Sequence, residues 1–190
     1  NDAFYGCVEL TSITIPDSVT SIGNDAFNWC IRLASITIPD SVTSIGNDAF
    51  RNSALSSIII PISVVSFEGN PFSECKKLEE IDLSGNPNYV FTDGMLFNKE
   101  MTHLIFCTPT KSGGCSIPNT VTSINYDAFC KCMSLTSVTI PNSVTSIGNL
   151  AFSECEKLTS ITIPDSVTRI GNSAFKMCKR LKSVTIPNSI

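Results

Sequence analysis

The amino-acid sequence predicts a solenoid, in which short coils of chain stack on one another, because one segment recurs at a fixed spacing. Its clearest repeat covers residues 15–27. Neighbouring repeats are 23 residues apart over most of the chain. A period of this size indicates a small structural unit that buries its apolar side only against its neighbours. The repeats begin at these prolines: Pro16, Pro39, Pro61, Pro118, Pro141, Pro164 and Pro187.

Each repeat is predicted to contain a strand, a turn, a short helix and a second strand. Residues 18–22 are rich in β-branched side chains, which favour a strand, and Gly23 favours a turn. Asn24 is a good helix N-cap residue, and apolar residues then follow at helical spacing as far as Leu33. Residues 35–38 alternate between polar and apolar, as half-buried strands do.

Stacking is expected to align equivalent apolar side chains in rows through the core. The aromatic row is Phe4, Phe27, Phe50, Phe72, Phe129, Phe152 and Phe175. The leucine row is Leu10, Leu33, Leu55, Leu78, Leu135, Leu158 and Leu181. The strand row is Ile13, Ile36, Ile58, Ile81, Val138, Ile161 and Val184.

Six of the nine cysteines lie three residues after a phenylalanine of the aromatic row. That placement favours small buried core residues over reactive or metal-binding thiols. The six are Cys7, Cys30, Cys75, Cys132, Cys155 and Cys178.

One repeat is longer than the others, since Pro61 and Pro118 are 57 residues apart. The sequence therefore predicts one enlarged coil over residues 84–117. Within it, apolar residues 95–97 and 103–106 flank a polar segment, which predicts a β-hairpin. Cys107 and Cys115 also lie in this coil, and their spacing leaves open whether they form a disulfide or stay free.

The full pattern, Ile-Pro-x-Ser-Val-Thr-Ser-Ile-Gly-x-x-Ala-Phe-x-x-Cys-x-x-Leu-x-Ser-Ile-Thr, resembles the BspA-like leucine-rich repeat, also called the Treponema pallidum type. Residues 88–89, 92–99 and 104–105 resemble the longer unit often interspersed in that family. The resemblance covers essentially the whole chain. It implies a right-handed leucine-rich repeat solenoid of the α/β repeat class, with short parallel strands and short helices. It also implies a surface or secreted protein that adheres to host proteins or other cells.

The solenoid is expected to be a single domain over residues 1–190. The chain opens and closes within a repeat, so we expect it to be part of a longer array whose targeting segment lies elsewhere. No apolar run approaches the roughly 20 residues of a membrane span, so direct membrane insertion is not expected. Residues 1–83 hold 11 acidic and 4 basic residues, whereas residues 84–190 hold 6 acidic and 9 basic ones.

Catalysis is not expected, because His103 is the only histidine and no Ser/His or Cys/His motif surrounds it. The pair Cys130 and Cys132 lacks a second cysteine pair at zinc-site spacing, so neither a metal nor another cofactor is expected. The basic residues lack the interleaved aromatic residues typical of nucleic-acid binding.

Binding residues are expected where outward strand positions depart from the repeat. Most repeats place a serine and a threonine there, as at Ser12 and Thr14, whereas one repeat has an isoleucine and the next has acidic residues. Three further apolar residues either extend this surface or form the core of the hairpin. The candidates for protein binding are Ile59, Glu79, Glu80, Asp82, Phe91, Met95 and Phe97.

These departures favour a cell-surface or secreted adhesion module with a protein partner on a host or neighbouring cell. A structural spacer or self-associating stalk is the alternative, because the chain has an acidic-to-basic gradient. A remote alternative is ice binding by the rows of Ser and Thr hydroxyls. The acidic repeat and the hairpin interrupt that hydroxyl lattice, and threonine is also common in ordinary strands.

Overall fold

The computed structural model describes residues 1–83 and 85–190, so Ser84, the first residue of the predicted enlarged coil, lies outside the described residues. The chain forms two compact units, Asn1–Gly94 and Met95–Ile190. Its strands are β1 (Ser21–Ile22), β2 (Ser44–Ile45), β3 (Ser57–Ile59), β4 (Ser66–Phe67), β5 (Glu80–Asp82), β6 (Tyr89–Thr92), β7 (Met95–Asn98), β8 (His103–Cys107), β9 (Gly113–Ser116), β10 (Ser123–Ile124), β11 (Leu135–Thr139), β12 (Ser146–Ile147), β13 (Ser160–Thr162), β14 (Arg169–Ile170) and β15 (Val184–Thr185).

The first unit stacks its coils through two sets of short parallel strands. Strands β1, β2 and β4 are neighbours in one set, and β3 pairs with β5 in the other. Ser21 lies opposite Ser44, which in turn lies opposite Ser66. Equivalent residues of successive repeats are therefore side by side, as the predicted solenoid requires.

The second unit repeats this arrangement and adds the predicted hairpin. Strands β8, β10, β12 and β14 run parallel in one set, and β9, β11, β13 and β15 in another. Strand β7 pairs antiparallel with β8, with Met95 opposite Cys107. Asn98 Oδ1 accepts the backbone N–H groups of Thr102 and His103, at 2.9 and 2.8 Å, which closes the hairpin loop.

The predicted short helices are wrong, since residues 1–83 and 85–190 contain no helix. An α-helix requires each N–H group to donate to the carbonyl four residues earlier. Here the N–H groups alternate. Asn28 donates to Asp25 within the turn (3.1 Å), whereas Phe27 donates to Ala49 in the next coil (2.7 Å). Asp25 and Trp29 adopt left-handed φ angles of 55° and 61°, so the segment is a row of turns that bonds to the neighbouring coil.

The predicted N-cap role of Asn24 is also wrong. Its Oδ1 accepts the backbone N–H of Asn47 at 2.7 Å, and Asn47 Oδ1 accepts that of Asn70 at 3.0 Å. Asn149 and Asn172 repeat this contact at 2.7 Å in the second unit. These asparagines therefore link successive coils.

The glycine that precedes this asparagine is required by close approach between coils. A Cβ added to Gly148 would lie 2.6 Å from both the carbonyl carbon of Asn125 and the backbone nitrogen of Tyr126. Real Cβ atoms essentially never come so near to backbone. The sequence pattern identified this position as a turn, but its constraint is space.

The predicted core rows are confirmed in both units. The rings of Phe27 and Phe50 are stacked with centroids 5.7 Å apart, and those of Phe129 and Phe152 are 4.9 Å apart. The interior leucines are fully buried: Leu33, Leu55, Leu78, Leu135 and Leu158.

The cysteines of the repeats also occupy core positions, with Cys7 as the exposed exception. The Cys30 thiol donates to the Phe4 carbonyl and the Cys155 thiol to the Phe129 carbonyl, each at 3.1 Å. Burial raises the pKa of Cys75 to about 12, so its thiol stays protonated near neutral pH. Cys30, Cys75, Cys155 and Cys178 therefore supply small side chains that donate to the preceding coil.

The open question of a disulfide between Cys107 and Cys115 has a structural answer, since all nine cysteines are free thiols. Cys115 contacts the sulfur of Met95 at 3.7 Å. The Cys132 thiol lies 3.8 Å from the Cys107 carbonyl.

Among the described residues, none belongs to a helix long and apolar enough to cross a bilayer.

Candidate functional site

The outward surface of β3 and β5 differs from that of the other coils. Ser57 lies opposite Glu80, and Ile59 lies opposite Asp82. Both acidic side chains are exposed, and Ile59 is 58% exposed. Glu79, immediately before β5, is exposed as well. Acidic groups thus border an aliphatic side chain on this surface.

The positions beneath this surface follow the repeat. Ile58 and Ile81 lie opposite each other, and each is only 3% exposed. In the second unit, the outward positions of β11 and β13 are the exposed residues Thr139 and Thr162. The departure therefore concerns only the side chains that face solvent.

Met95 and Phe97 do not belong to an exposed binding surface. Both side chains are buried in the core of the second unit, at 2% and 0% exposure. Hairpin pairing accounts for this, because the inward side chains of β7 face the same core as those of β8. Of the two alternatives for these residues, hairpin core is the one that the structure supports. Phe91, in β6, is half-buried.

Two exposed apolar residues next to the candidate surface were not predicted from the sequence. Ile62 is 59% exposed and Val65 is 62% exposed. Asp40 occupies the Ile62 position one repeat earlier, and Thr43 occupies the Val65 position. The same comparison between repeats would have found both residues had it included the corner after the strand.

A cavity in the first unit is lined by core positions, among them Phe4, Ile13 and Phe27. These residues belong to the predicted aromatic and strand rows. The cavity therefore belongs to the stacking core. Its polar lining residues are Asn1, Thr14 and Ser21.

Buried charges in the first unit are paired within the scaffold. Arg51 forms ion pairs with Asp48, at 3.5 Å, and with Glu74. Burial raises the pKa of Asp48, and the positive charge of Arg51 opposes that rise. Among the described residues, no three or more His, Cys, Asp or Glu side chains are arranged to hold a metal ion.

Solved structures resemble the chain over nearly all of its length. A leucine-rich cell surface protein from Faecalibacterium prausnitzii is 34% identical with a TM-score of 0.82, and the match covers 100% of this chain and 57% of that protein. The pneumococcal vaccine antigen PcpA is 27% identical with a TM-score of 0.83, covering 96% of this chain and 52% of PcpA. A leucine-rich repeat protein from Eubacterium ventriosum is 26% identical with a TM-score of 0.69, covering 98% and 69%.

The chain thus spans little more than half of the first two of these proteins. Among curated proteins, none matches the sequence. A family model described as the BspA type leucine-rich repeat region matches residues 1–114 and 99–190, with six copies of the repeat. Since those matches cover the whole chain and agree with the stacked coils, the protein belongs to the BspA-type leucine-rich repeat family.

Proposed function

We propose that the chain is a cell-surface or secreted recognition module that binds a protein of a host or neighbouring cell. The observation that carries this proposal is the break in the Ser and Thr surface at Ile59, Glu80 and Asp82. All three side chains are exposed on paired strands of the first unit. The relative from Faecalibacterium prausnitzii is a cell surface protein, which supports the proposed location.

Stacking alone gives no reason for the acidic pair. The outward side chains of β5 contribute no buried apolar area, whereas Ile81 between them keeps the core intact. Repeat frameworks are widely shared, so the identity of a partner depends on such variable outward positions. Glu79 and Phe91 border the surface in our proposal and extend the area available to a partner.

The test is a binding screen of the chain against immobilised cell-surface and matrix proteins, with Glu80→Ser/Asp82→Thr measured in parallel. We expect a partner of the wild-type chain to bind the double variant at least about tenfold more weakly, as loss of central interface residues does. Equal binding by both proteins would rule out the acidic surface as the recognition site.

A matched control places the same chemistry elsewhere. Ser160→Glu/Thr162→Asp introduces an acidic pair at the equivalent outward positions of β13, and both native residues are exposed. Restoration of binding in a chain that combines both double variants would show that acidity alone suffices. We expect no restoration, because Ile59 has no counterpart beside β13.

Self-association is a second candidate, favoured by the acidic and basic halves of the sequence. It predicts end-to-end association at low salt that disappears as salt screens the charges. Light scattering across a salt series tests it. A chain that remains monomeric at low salt would exclude this alternative.

A further inference from the structure

Three exposed aliphatic side chains lie along one short segment of the first unit. Ile59, Ile62 and Val65, here called the apolar ridge, are 58%, 59% and 62% exposed. Ile59 ends β3, and Val65 immediately precedes β4, which belongs to the other strand set. The apolar ridge therefore follows the corner of a single coil. The other regular repeats place Thr, Asp or Asn, and Thr at these positions.

Val65 lacks a side-chain hydrogen bond that equivalent threonines make in other repeats. The hydroxyls of Thr43, Thr145 and Thr168 each donate to a carbonyl of the preceding coil, at 3.2, 3.2 and 3.3 Å. Val65 retains only the backbone bond of this position, to the Thr43 carbonyl at 2.8 Å. A substitution that loses a hydrogen bond and exposes an aliphatic group is not explained by folding stability.

The backbone around the apolar ridge is held by two hydrogen bonds, and an aromatic contact lies close to Val65 in the chain. Asn86, which is buried, donates its Nδ2 group to the carbonyls of Pro61 and Val64, at 2.7 and 2.8 Å. These carbonyls flank Ile62. Beside Val65, the ring of Phe67 packs against Tyr89 with centroids 4.4 Å apart. A fixed backbone lowers the ordering cost of binding, as in a preorganised interface.

The surroundings of the apolar ridge are acidic. Asp82 lies opposite Ile59, and Asp40 occupies the Ile62 position one repeat earlier. Both carboxylates are exposed, as are Glu68 and Glu80.

The four basic residues of the first unit precede β3 or β5 in the sequence. Arg32 pairs with Glu9, and Arg51 pairs with Asp48 and Glu74. Lys76 and Lys77 are exposed and precede Glu80, the first residue of β5, whereas Asp82 is the last residue of that strand. Apolar side chains framed by acidic ones are complementary to a basic segment that also carries aliphatic side chains.

We infer that the apolar ridge is the docking site for a basic segment of a partner protein. Aliphatic side chains of that segment cover Ile59, Ile62 and Val65, and its lysines or arginines face Glu80 and Asp82. This inference rests on the proposed recognition function and specifies the chemistry of the partner. It also adds Ile62 and Val65 to the recognition site.

The test measures fluorescence anisotropy of three labelled synthetic peptides of equal length with the whole chain. One peptide combines Lys and Leu, the second combines Lys and Ser, and the third combines Glu and Leu. We expect only the Lys/Leu peptide to bind. We expect Ile59→Thr/Ile62→Asp/Val65→Thr, which restores residues of other repeats, to weaken that binding at least about tenfold. Equal binding by wild type and this triple variant overturns the inference, and so does equal binding of the Glu/Leu peptide.

A matched transplant separates the apolar and charged contributions. Thr162→Ile/Asp165→Ile/Thr168→Val, made in the triple variant, places an equivalent ridge beside β13, where no acidic strand follows. We expect little recovery of Lys/Leu binding. Full recovery would show that any exposed aliphatic ridge suffices and would overturn the assignment of a basic partner. Binding to the wild-type chain should also weaken at about 1 M salt, where the Debye length is about 3 Å.

Three further results distinguish this inference from the proposed function and from a second copy as the occupant. A protein from the screen that binds the triple variant as tightly as wild type would leave the recognition function standing and overturn the ridge. A chain that dimerises in size-exclusion chromatography, but is monomeric as the triple variant, would show that the occupant is a second copy. Ridge-dependent Lys/Leu binding without any bound protein in the screen supports the ridge and counts against the proposed function.

Discussion

The regular coils of the second unit and the coil that carries the apolar ridge share an interior but differ outside. Ile58 in β3 and Val138 in β11 occupy equivalent buried positions of their repeats. Their outward neighbours are Ile59 and Thr139, both exposed. Stacking thus constrains one side of the strand and leaves the other free to vary. The difference separates positions that hold the coils together from positions that are available to a partner.

The two regions also differ in how they secure the corner after the strand. In a regular coil, Ser166 donates its hydroxyl to the Val144 carbonyl of the preceding coil at 2.7 Å. At the apolar ridge, Asn86 holds two carbonyls, those of Pro61 and Val64. The irregular coil has therefore not simply lost the repeat contacts. It has replaced a corner contact while exchanging polar outward residues for apolar ones.

The largest predicted effect tests whether the interiors are equivalent. Phe50 and Phe152 are fully buried, and each stacks on a phenylalanine on both sides. We expect Phe50→Ala and Phe152→Ala each to lower the free energy of unfolding by about 3–5 kcal/mol, since each leaves a cavity and removes ring contacts. Denaturant titration measures both. The exposed Trp29→Ala serves as control, and a loss below about 1 kcal/mol in one phenylalanine variant alone would break the comparison.

A smaller loss is expected where coils approach each other closely. Gly148→Ala would place a Cβ 2.6 Å from the backbone of Asn125 and Tyr126. Because backbone cannot rotate away as a side chain can, we expect a loss of about 1–3 kcal/mol by denaturant titration. Asn125 occupies the same repeat position one coil earlier without being glycine. Asn125→Ala is therefore the control, and an equal effect of the two substitutions would argue against close approach as the cause.

Much of the interior could be predicted from the sequence, because stacking buries equivalent positions in every repeat. The rows that contain Phe27, Leu33 and Cys30 followed from spacing alone, and the hairpin followed from two apolar segments around a polar one. The prediction of a helix was wrong because the apolar spacing fits both a helix and a row of turns. Bonds from Phe27 to the next coil decide between them, and they depend on a partner 22 residues away.

The candidate surface was only partly predictable. Ile59, Glu80 and Asp82 were found because alternation in a strand identifies outward positions. Met95 and Phe97 were ambiguous, since the sequence does not say which face of a hairpin a solenoid covers. Ile62 and Val65 lie at a corner, where alternation no longer applies.

An intermediate effect concerns the buried thiols, which both regions share. Burial raises the pKa of Cys75 from 9.0 to about 12. Because the pKa of Cys75 is raised, this thiol does not change the free energy of unfolding below about pH 9. Its ionisation lowers that free energy as pH rises toward 12, because only the unfolded chain ionises in this range. The slope from one such thiol approaches about 1.4 kcal/mol per pH unit. Denaturant titrations from pH 8 to alkaline pH should show a shallower decline for Cys75→Ser.

Serine already occupies the equivalent position at Ser53, so the Cys75→Ser variant should fold. Thiol titration adds an independent check. The exposed Cys7 should react in the native chain, and all nine cysteines should react after unfolding. Two unreactive cysteines under denaturing, non-reducing conditions would contradict free thiols at Cys107 and Cys115.

The smallest predicted effect is on the outside, where the two regions differ most in sequence. Glu80→Ser/Asp82→Thr and Ile62→Asp should each change the free energy of unfolding by no more than about 0.5 kcal/mol, as exposed substitutions do. Val65→Thr should be neutral or stabilising by up to about 1 kcal/mol, because it restores a hydroxyl that can donate to the Thr43 carbonyl. Thermal and denaturant unfolding measure all three.

A large loss in any of these variants would mean that the irregular coil needs its unusual residues to fold, and the distinction between scaffold and recognition positions would fail. Unchanged or increased stability would leave folding without a reason for three exposed aliphatic residues beside two acidic ones. Residues that cost the scaffold a hydrogen bond and add nothing to the core are then best accounted for by what they contact outside the chain.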